Sequence, residues 1–150
     1  MLLLGGAVYC SEARSTTNPV KSIDLAELDG ITSDENFRGL VVVMASWCPP
    51  CRKELPILSK LYETYKEKGI QILALSVDEE GPKAVQPLID KLQVPFPVYW
   101  GGTRAVQRYK IVGIPTMMVY DKGKLVEKRP GSHPRKAIEK KIRALLGDSG

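Results

Sequence analysis

Two cysteines separated by two prolines, Cys48-Pro49-Pro50-Cys51, stand between an apolar run and a helical stripe, and nothing else in the 150-residue sequence limits the fold so tightly. Residues 40–45, Leu-Val-Val-Val-Met-Ala, form a short continuous apolar run, the pattern of a strand buried on both faces. After the cysteines, Cys51, Leu55, Leu58, Tyr62 and Tyr65 recur at spacings of four and three, which predicts a helix over 51–68 stopped by Gly69. Pro56 is expected to kink it, because a proline inside a helix deletes one backbone bond and crowds the preceding turn. A buried strand feeding a helix through a two-cysteine loop puts both sulfurs at a helix start.

The same alternation continues along the chain. Residues 70–77 read as a second buried strand, Val85, Leu88, Ile89 and Leu92 as a helical stripe, and 96–100 as a short extended piece. Ala105, Val106 and Tyr109 suggest a brief helix. Residues 116–120 and 125–129 flank Asp121-Lys122-Gly123-Lys124 and read as an antiparallel hairpin. Ser132 is expected to cap a last helix with Ile138, Ile142, Leu145 and Leu146 inward and Gly147 at its end. Strand–helix alternation closing on a hairpin and a helix predicts an α/β sandwich with a mixed central sheet flanked by helices. One domain is expected over 21–150, since 150 residues leave no room for two.

Residues 1–20 are expected to be an export-leader remnant or a flexible terminus. Residues 2–8 are apolar and a polar stretch follows at once. Ser11 and Ala13 could precede a cleavage point ahead of Arg14. Cys10 could instead carry a lipid, although Tyr9 is bulky where such sites want a small residue. No apolar run approaches the ~20 residues of a spanning helix. Lys and Arg outnumber Asp and Glu by 22 to 17, and the excess is local: residues 121–146 hold nine basic side chains against three acids. No aromatic residues interleave that basic stretch, so it reads as a solvated face, or one drawn to anionic lipid or an acidic partner, and no nucleic-acid partner is expected.

A thiol at the start of a helix faces unpaired backbone N–H groups and the positive end of the helix dipole, and both favour its thiolate. Cysteines so placed have pKa values lowered from ~8.5 into the range ~3.5–7.5. Cys48 is therefore the expected attacking sulfur. Cys51, one turn on and on the apolar stripe, is the expected resolving one, leaving an internal disulfide for another protein to reduce. Pro49 and Pro50 remove donors where free N–H groups are tolerated and stiffen the loop. A carboxylate one turn further, Glu54, could accept the Cys51 proton; its alternative is an exposed first-turn residue favoured by the dipole.

With these residues in place the sequence resembles the thioredoxin family. Trp47-Cys48-Pro49-Pro50-Cys51 is similar to its Trp-Cys-x-x-Cys motif, and Val112-Gly113-Ile114-Pro115-Thr116 to its loop bearing a cis proline. The resemblance runs over about 23–146. Cys51-Arg-Lys-Glu-Leu-Pro56 and the additional segment 78–96 resemble the exported TlpA/ResA-type branch, which includes cytochrome c maturation reductases. It implies the thioredoxin-like three-layer sandwich, a cis Pro115 that places the Ile114 backbone beside Cys48 for a substrate strand, Trp47 as a wall of the substrate groove, and Glu54 as an active-site acid. One departure is that Arg38-Gly39 stands only eight residues before Cys48, so the first core strand looks clipped by about three. Val42 also replaces the branch's polar residue, so any buried acid below the dithiol would have to be Glu54.

The expectation is a thiol–disulfide oxidoreductase that reduces protein disulfides outside the cytoplasm, with apocytochrome c as one substrate. The resemblance further implies a membrane electron donor of the thiol-reducing type and possible membrane anchoring; a monomer is expected. The redox-active Cys48–Cys51 pair needs no cofactor or metal. A zinc site would have to recruit Cys10 and His133, both distant in sequence, and His133 reads as a surface residue at a helix start, not a base for Cys–His hydrolysis. Three alternatives stay open: a general thioredoxin- or tryparedoxin-like reductase, a thiol peroxidase of the same fold, and a non-enzymatic interaction module.

Overall fold

The two apolar runs become the middle of one six-stranded sheet. The structure, a computed structural model, describes residues 17–148. A two-residue strand β1 (Lys21–Ser22) and helix α1 (Leu25–Thr32) precede β2 (Gly39–Met44), α2 (Pro49–Tyr65), β3 (Gln71–Ser76), α3 (Pro82–Leu92) and β4 (Val98–Trp100). Helix α4 (Thr103–Arg108), the hairpin β5 (Thr116–Asp121) and β6 (Lys124–Pro130), and α5 (Arg135–Leu145) follow. The strand order is β1-β4-β3-β2-β5-β6, parallel from β1 to β2 and antiparallel across β2–β5 and β5–β6. The sheet is therefore mixed, as expected.

Burial explains the apolar runs. Every residue of β2 is buried, and β3 is buried except for Gln71, because each has strands on both sides and helices above and below. Although β2 looked clipped in sequence, it pairs with β3 in unbroken register from Gly39↔Gln71 to Met44↔Ser76. Gly39 allows that pairing: a Cβ there would lie 1.7 Å from the Gln71 carbonyl oxygen. The steps β2→β3→β4 move outward in one direction, and right-handed crossovers place α2 and α3 on the same face. α5 joins them there, with Tyr65 Oη of α2 donating to Glu139 Oε1 at 2.7 Å. On the other face Asp29 of α1 accepts from Tyr109 Oη at 2.8 Å and pairs with Arg108 of α4. That makes three layers. The chain returns from β4 to place β5 against the other side of β2, so the strand order reverses at β2/β5, where the loops beyond the carboxyl end of β2 meet the loop entering β5.

Two local expectations need correction. The helix expected over 51–68 begins at Pro49, with Cys48 as its N-cap, and ends at Tyr65 in a 3₁₀ turn, Lys66–Lys68, closed by Gly69 at φ 99°. The two prolines occupy helix positions whose N–H groups have no intrahelical partner, so they begin the helix instead of delaying it. Pro56 lies inside α2. Ser132 does not cap α5: the N-cap is Pro134, whose fixed φ of −65° starts the helix with no side-chain bond. Gly147, at φ 71°, does follow the end of α5. In the hairpin, Lys122 and Gly123 both have positive φ, the requirement of the tight two-residue turns that match strand twist.

Candidate active site

Cys48 is held by the βα unit itself. Its backbone is extended (φ −86°, ψ 110°), and its sulfur accepts the Cys51 N–H at 3.3 Å, taking one of the donors a helix start leaves free. Cys48 and Cys51 are joined as a disulfide, with Cα atoms 5.3 Å apart. Both are buried, Cys48 at 3% exposure and Cys51 at 1%, so the expected contrast between an open and a shielded sulfur is slight in this state. Exposure belongs instead to the rim: Trp47 is 68% and Val112 86% exposed, and Pro49 and Pro50 face solvent at the first two helical positions.

The second wall comes from the loop before β5. The Ile114–Pro115 peptide bond is cis, and the Ile114 carbonyl oxygen lies 3.8 Å from Cys48 Sγ. Thr116 Oγ1 donates back to the Gly113 carbonyl, and the Pro115 carbonyl accepts the Gly131 N–H at 2.7 Å. Trp47, Val77, Ala84, Val106, Ile111, Val112 and Ile114 line a groove of about 790 Å³ whose acids are Asp78, Glu79 and Glu80. The site therefore offers an apolar trough with carboxylates at one side, ending on a main-chain carbonyl next to the sulfur.

Two carboxylates on the elements that carry the cysteines' surroundings are buried, Glu54 in α2 and Asp78 bonded to the loop before Cys48. Asp78, 3% exposed just beyond the carboxyl end of β3, accepts from Ser46 N–H at 3.0 Å, from Ser46 Oγ at 2.5 Å and from Ser76 Oγ at 2.7 Å. Its own carbonyl accepts from Trp100 Nε1 at 2.6 Å. It thereby fixes the turn that carries Trp47 and Cys48. The sequence reading missed this role; the available signal was an acid at the end of a buried strand, where only a well-bonded carboxylate is tolerated.

Glu54 is different. It is 2% exposed, which removes the reading of it as an exposed first-turn residue. Its Oε2 accepts the His133 N–H at 3.0 Å, while Oε1 is buried with no partner. Burial pushes its carboxyl above the usual range, and the His133 N–H partly offsets that. His133 is not the plain surface residue expected from its place before α5. It is half-buried, its main chain meets Glu54, and its Nδ1 is buried without a partner. Burial lowers its pKa, with Arg129 and Lys141 pushing the same way and Glu127 against them. Seventy-nine residues separate His133 from Glu54, and no local pattern announces the contact.

Among the described residues, no group of three or more His, Cys, Asp or Glu is placed to hold a metal ion, and no helix is long and apolar enough to cross a membrane. Cys10, Ser11, Ala13 and Arg14, on which the leader and lipid readings rest, lie outside the described residues.

The AhpC/TSA family matches residues 16–129. A "Thiol-disulfide oxidoreductase ResA" of Bacillus cereus is 38% identical over 121 residues, covering 79% of this chain and 66% of that protein. The protein of that name in Bacillus thuringiensis subsp. konkukian is 32% identical over 127 residues, covering 83% and 69%. The chain thus spans about two thirds of the length of these relatives. A crystal structure from Chlorobium tepidum described as a thiol:disulfide interchange protein DsbE superposes with a TM-score of 0.71 at 26% identity, over 79% of this chain and 84% of that one. StoA of Bacillus subtilis shares the fold, with a TM-score of 0.62 at 22% identity over 71% and 82%.

Proposed function

The chain belongs to the AhpC/TSA family and carries the site of a thiol–disulfide oxidoreductase, and we propose that it works outside the cytoplasm as a reductant of protein disulfides. The carrying observation is the Cys48–Cys51 disulfide at the start of α2, with the Ile114 carbonyl 3.8 Å from Cys48 Sγ.

In the reduced protein the Cys48 thiolate, favoured by the Cys51 N–H and the helix dipole, attacks one sulfur of a substrate disulfide. The Cys48–substrate bond forms as the substrate S–S bond breaks, and the second substrate sulfur leaves as a thiolate. Cys51 gives its proton to Glu54 and attacks Cys48 Sγ, so the internal disulfide forms and the substrate departs with both sulfurs reduced. The substrate lies extended, with its backbone paired to Ile114 and its side chains against Trp47. The adjacent Cys51 favours this dithiol exchange over a peroxidase reaction, and the intact pair favours it over a non-catalytic module.

Oxidised protein is returned to the dithiol by a membrane electron donor of the thiol-reducing type, and the protein acts as a monomer, anchored or free. Apocytochrome c is the leading substrate, on the resemblance of Cys51-Arg-Lys-Glu-Leu-Pro56 to the cytochrome c maturation reductases. The deciding measurement is the reduction potential of the Cys48–Cys51 couple: a value near the ~−270 mV of thioredoxin supports a reductant, and one near the ~−120 mV of the periplasmic oxidase reverses the direction. In parallel, Cys51→Ala should accumulate mixed disulfides through Cys48. Adducts forming with Cys48→Ala instead would exchange the two roles.

A further inference from the structure

The three acids of the groove are not alike. Asp78 is buried, and both its carboxylate oxygens are bonded to Ser46 and Ser76, so its charge is held inside the framework. Glu79 and Glu80 follow it in the turn before α3 and are exposed. Neither has an ion-pair partner among the described residues. Asp78 also holds their turn in place. Its N–H donates to Ser76 Oγ at 3.2 Å, its carbonyl accepts from Trp100 Nε1, and its carboxylate accepts the Ser46 N–H. The two exposed carboxylates are therefore tied to the loop that carries Trp47 and Cys48.

We propose that this groove selects its substrate by charge. It takes an extended segment of the disulfide-bearing protein, with an apolar side chain on Trp47 and Val112 and a lysine or arginine on Glu79 and Glu80. Glu79 and Glu80 are specificity residues and touch no reacting atom. The inference rests on the reading above, in which Cys48 attacks a protein disulfide, and it gives that substrate a chemical class.

The groove matches such a segment in two ways. Trp47 and Val112 expose apolar surface, which gains when it is covered, whereas a purely apolar cover would strip water from the carboxylates without replacing it. Lysine and arginine suit both features, because an apolar stem can lie along the trough while the charged head reaches a carboxylate. No basic side chain lines the groove, so an incoming cation meets no like charge there.

A second, smaller cleft of about 350 Å³ has the opposite character. It lies against Pro49, the other chain neighbour of Cys48, and is lined by Arg52, Lys53, Leu88, Lys91 and Leu92. Every charge on it is positive. A basic segment is therefore attracted to one of the two clefts bordering the cysteine loop and repelled from the other, which decides where it lies.

The test uses pre-reduced protein and three disulfide-bridged peptides. They share a Leu beside the reacting cysteine and differ only in two flanking residues on each side, all Lys, all Gln or all Glu. In single-turnover quenched-flow alkylation, the half-saturating concentration should be about fivefold lower for the Lys peptide than for the Glu peptide, with the same limiting rate. Salt at ~1 M should remove most of that difference. The double variant Glu79→Gln, Glu80→Gln should bring the three peptides together, and Glu79→Lys with Glu80→Lys should reverse their order. Equal half-saturation by the three peptides on the original protein overturns the proposal. So does a Lys preference that survives both double variants, because the selecting charge then lies elsewhere, and so does a difference confined to the limiting rate. If the protein reduces all three peptides without preference, the oxidoreductase reading stands and only the charge selection falls. If it leaves all three disulfides intact, the reading of the protein as a reductant fails, and the selection with it.

Discussion

Two carboxylates, Asp78 and Glu54, are similar in burial and opposite in company. Asp78 has both oxygens bonded, to Ser46 and Ser76, and its neighbours are the ends of β3 and of the loop that carries Cys48. Glu54 has one oxygen on the His133 main chain and one on nothing. A fully bonded buried carboxylate holds structure, because each partner it would leave behind is itself costly to strand. A half-bonded one retains a free lone pair and a raised affinity for a proton. Burial alone does not distinguish framework from chemistry; the count of satisfied atoms does.

Replacing Asp78 with Ala should produce the largest effect on stability. It strands the Ser46 N–H and two serine hydroxyls, so unfolding in urea should show a loss of about 3 kcal/mol or more. If Asp78→Ala folds with near-normal stability and only activity falls, the division between the two carboxylates is wrong. Next comes Glu54→Gln, which should leave stability within about 1 kcal/mol of the original while slowing the resolving step about tenfold in quenched-flow alkylation.

Acidity sharpens the comparison further. Glu54 has a folded-state pKa above its ordinary value of 4.5, so the folded protein binds more protons than the unfolded chain between those two values. The resulting stabilisation is complete below pH 4.5 and is lost as pH rises through the folded value. Denaturation midpoints measured across this window should therefore fall more steeply for the original protein than for Glu54→Gln. Equal slopes would remove the case for a raised carboxyl. The smallest stability change belongs to Trp47→Ala: at 68% exposure it should lie within about 0.5 kcal/mol, with the loss appearing in KM for a peptide disulfide.

How far the sequence could be read follows the same division between local and distant information. Strands β2 and β3 were legible because burial on both faces leaves a continuous apolar run, and the cysteines because a strand–loop–helix junction is a local pattern. The Pro115 loop was legible through its resemblance to a known family. Ser132 misled because it is a good capping residue standing near a helix start, while Pro134 set the boundary through its fixed φ. Two-residue β1 has too few side chains to form a period. The bonds from His133 to Glu54 and from Ser46 to Asp78 join residues 79 and 32 positions apart, and such contacts exist only once the sheet has brought its loops together.

The hairpin that closes the sheet also bears on how copies of the protein meet. Strand β6 is an edge, exposes Leu125 and Val126, and on its own would be an open template for another chain's backbone. It carries Lys124, Lys128 and Arg129 along its length, ends in Pro130, and shifts register against β5 at Val119/Tyr120. The opposite edge, β1, is two residues long. Part of the local surplus of positive charge, which at first suggests a polyanionic ligand, thus stands as a guard rail along this edge, where like charges and a missing N–H work against strand-to-strand pairing.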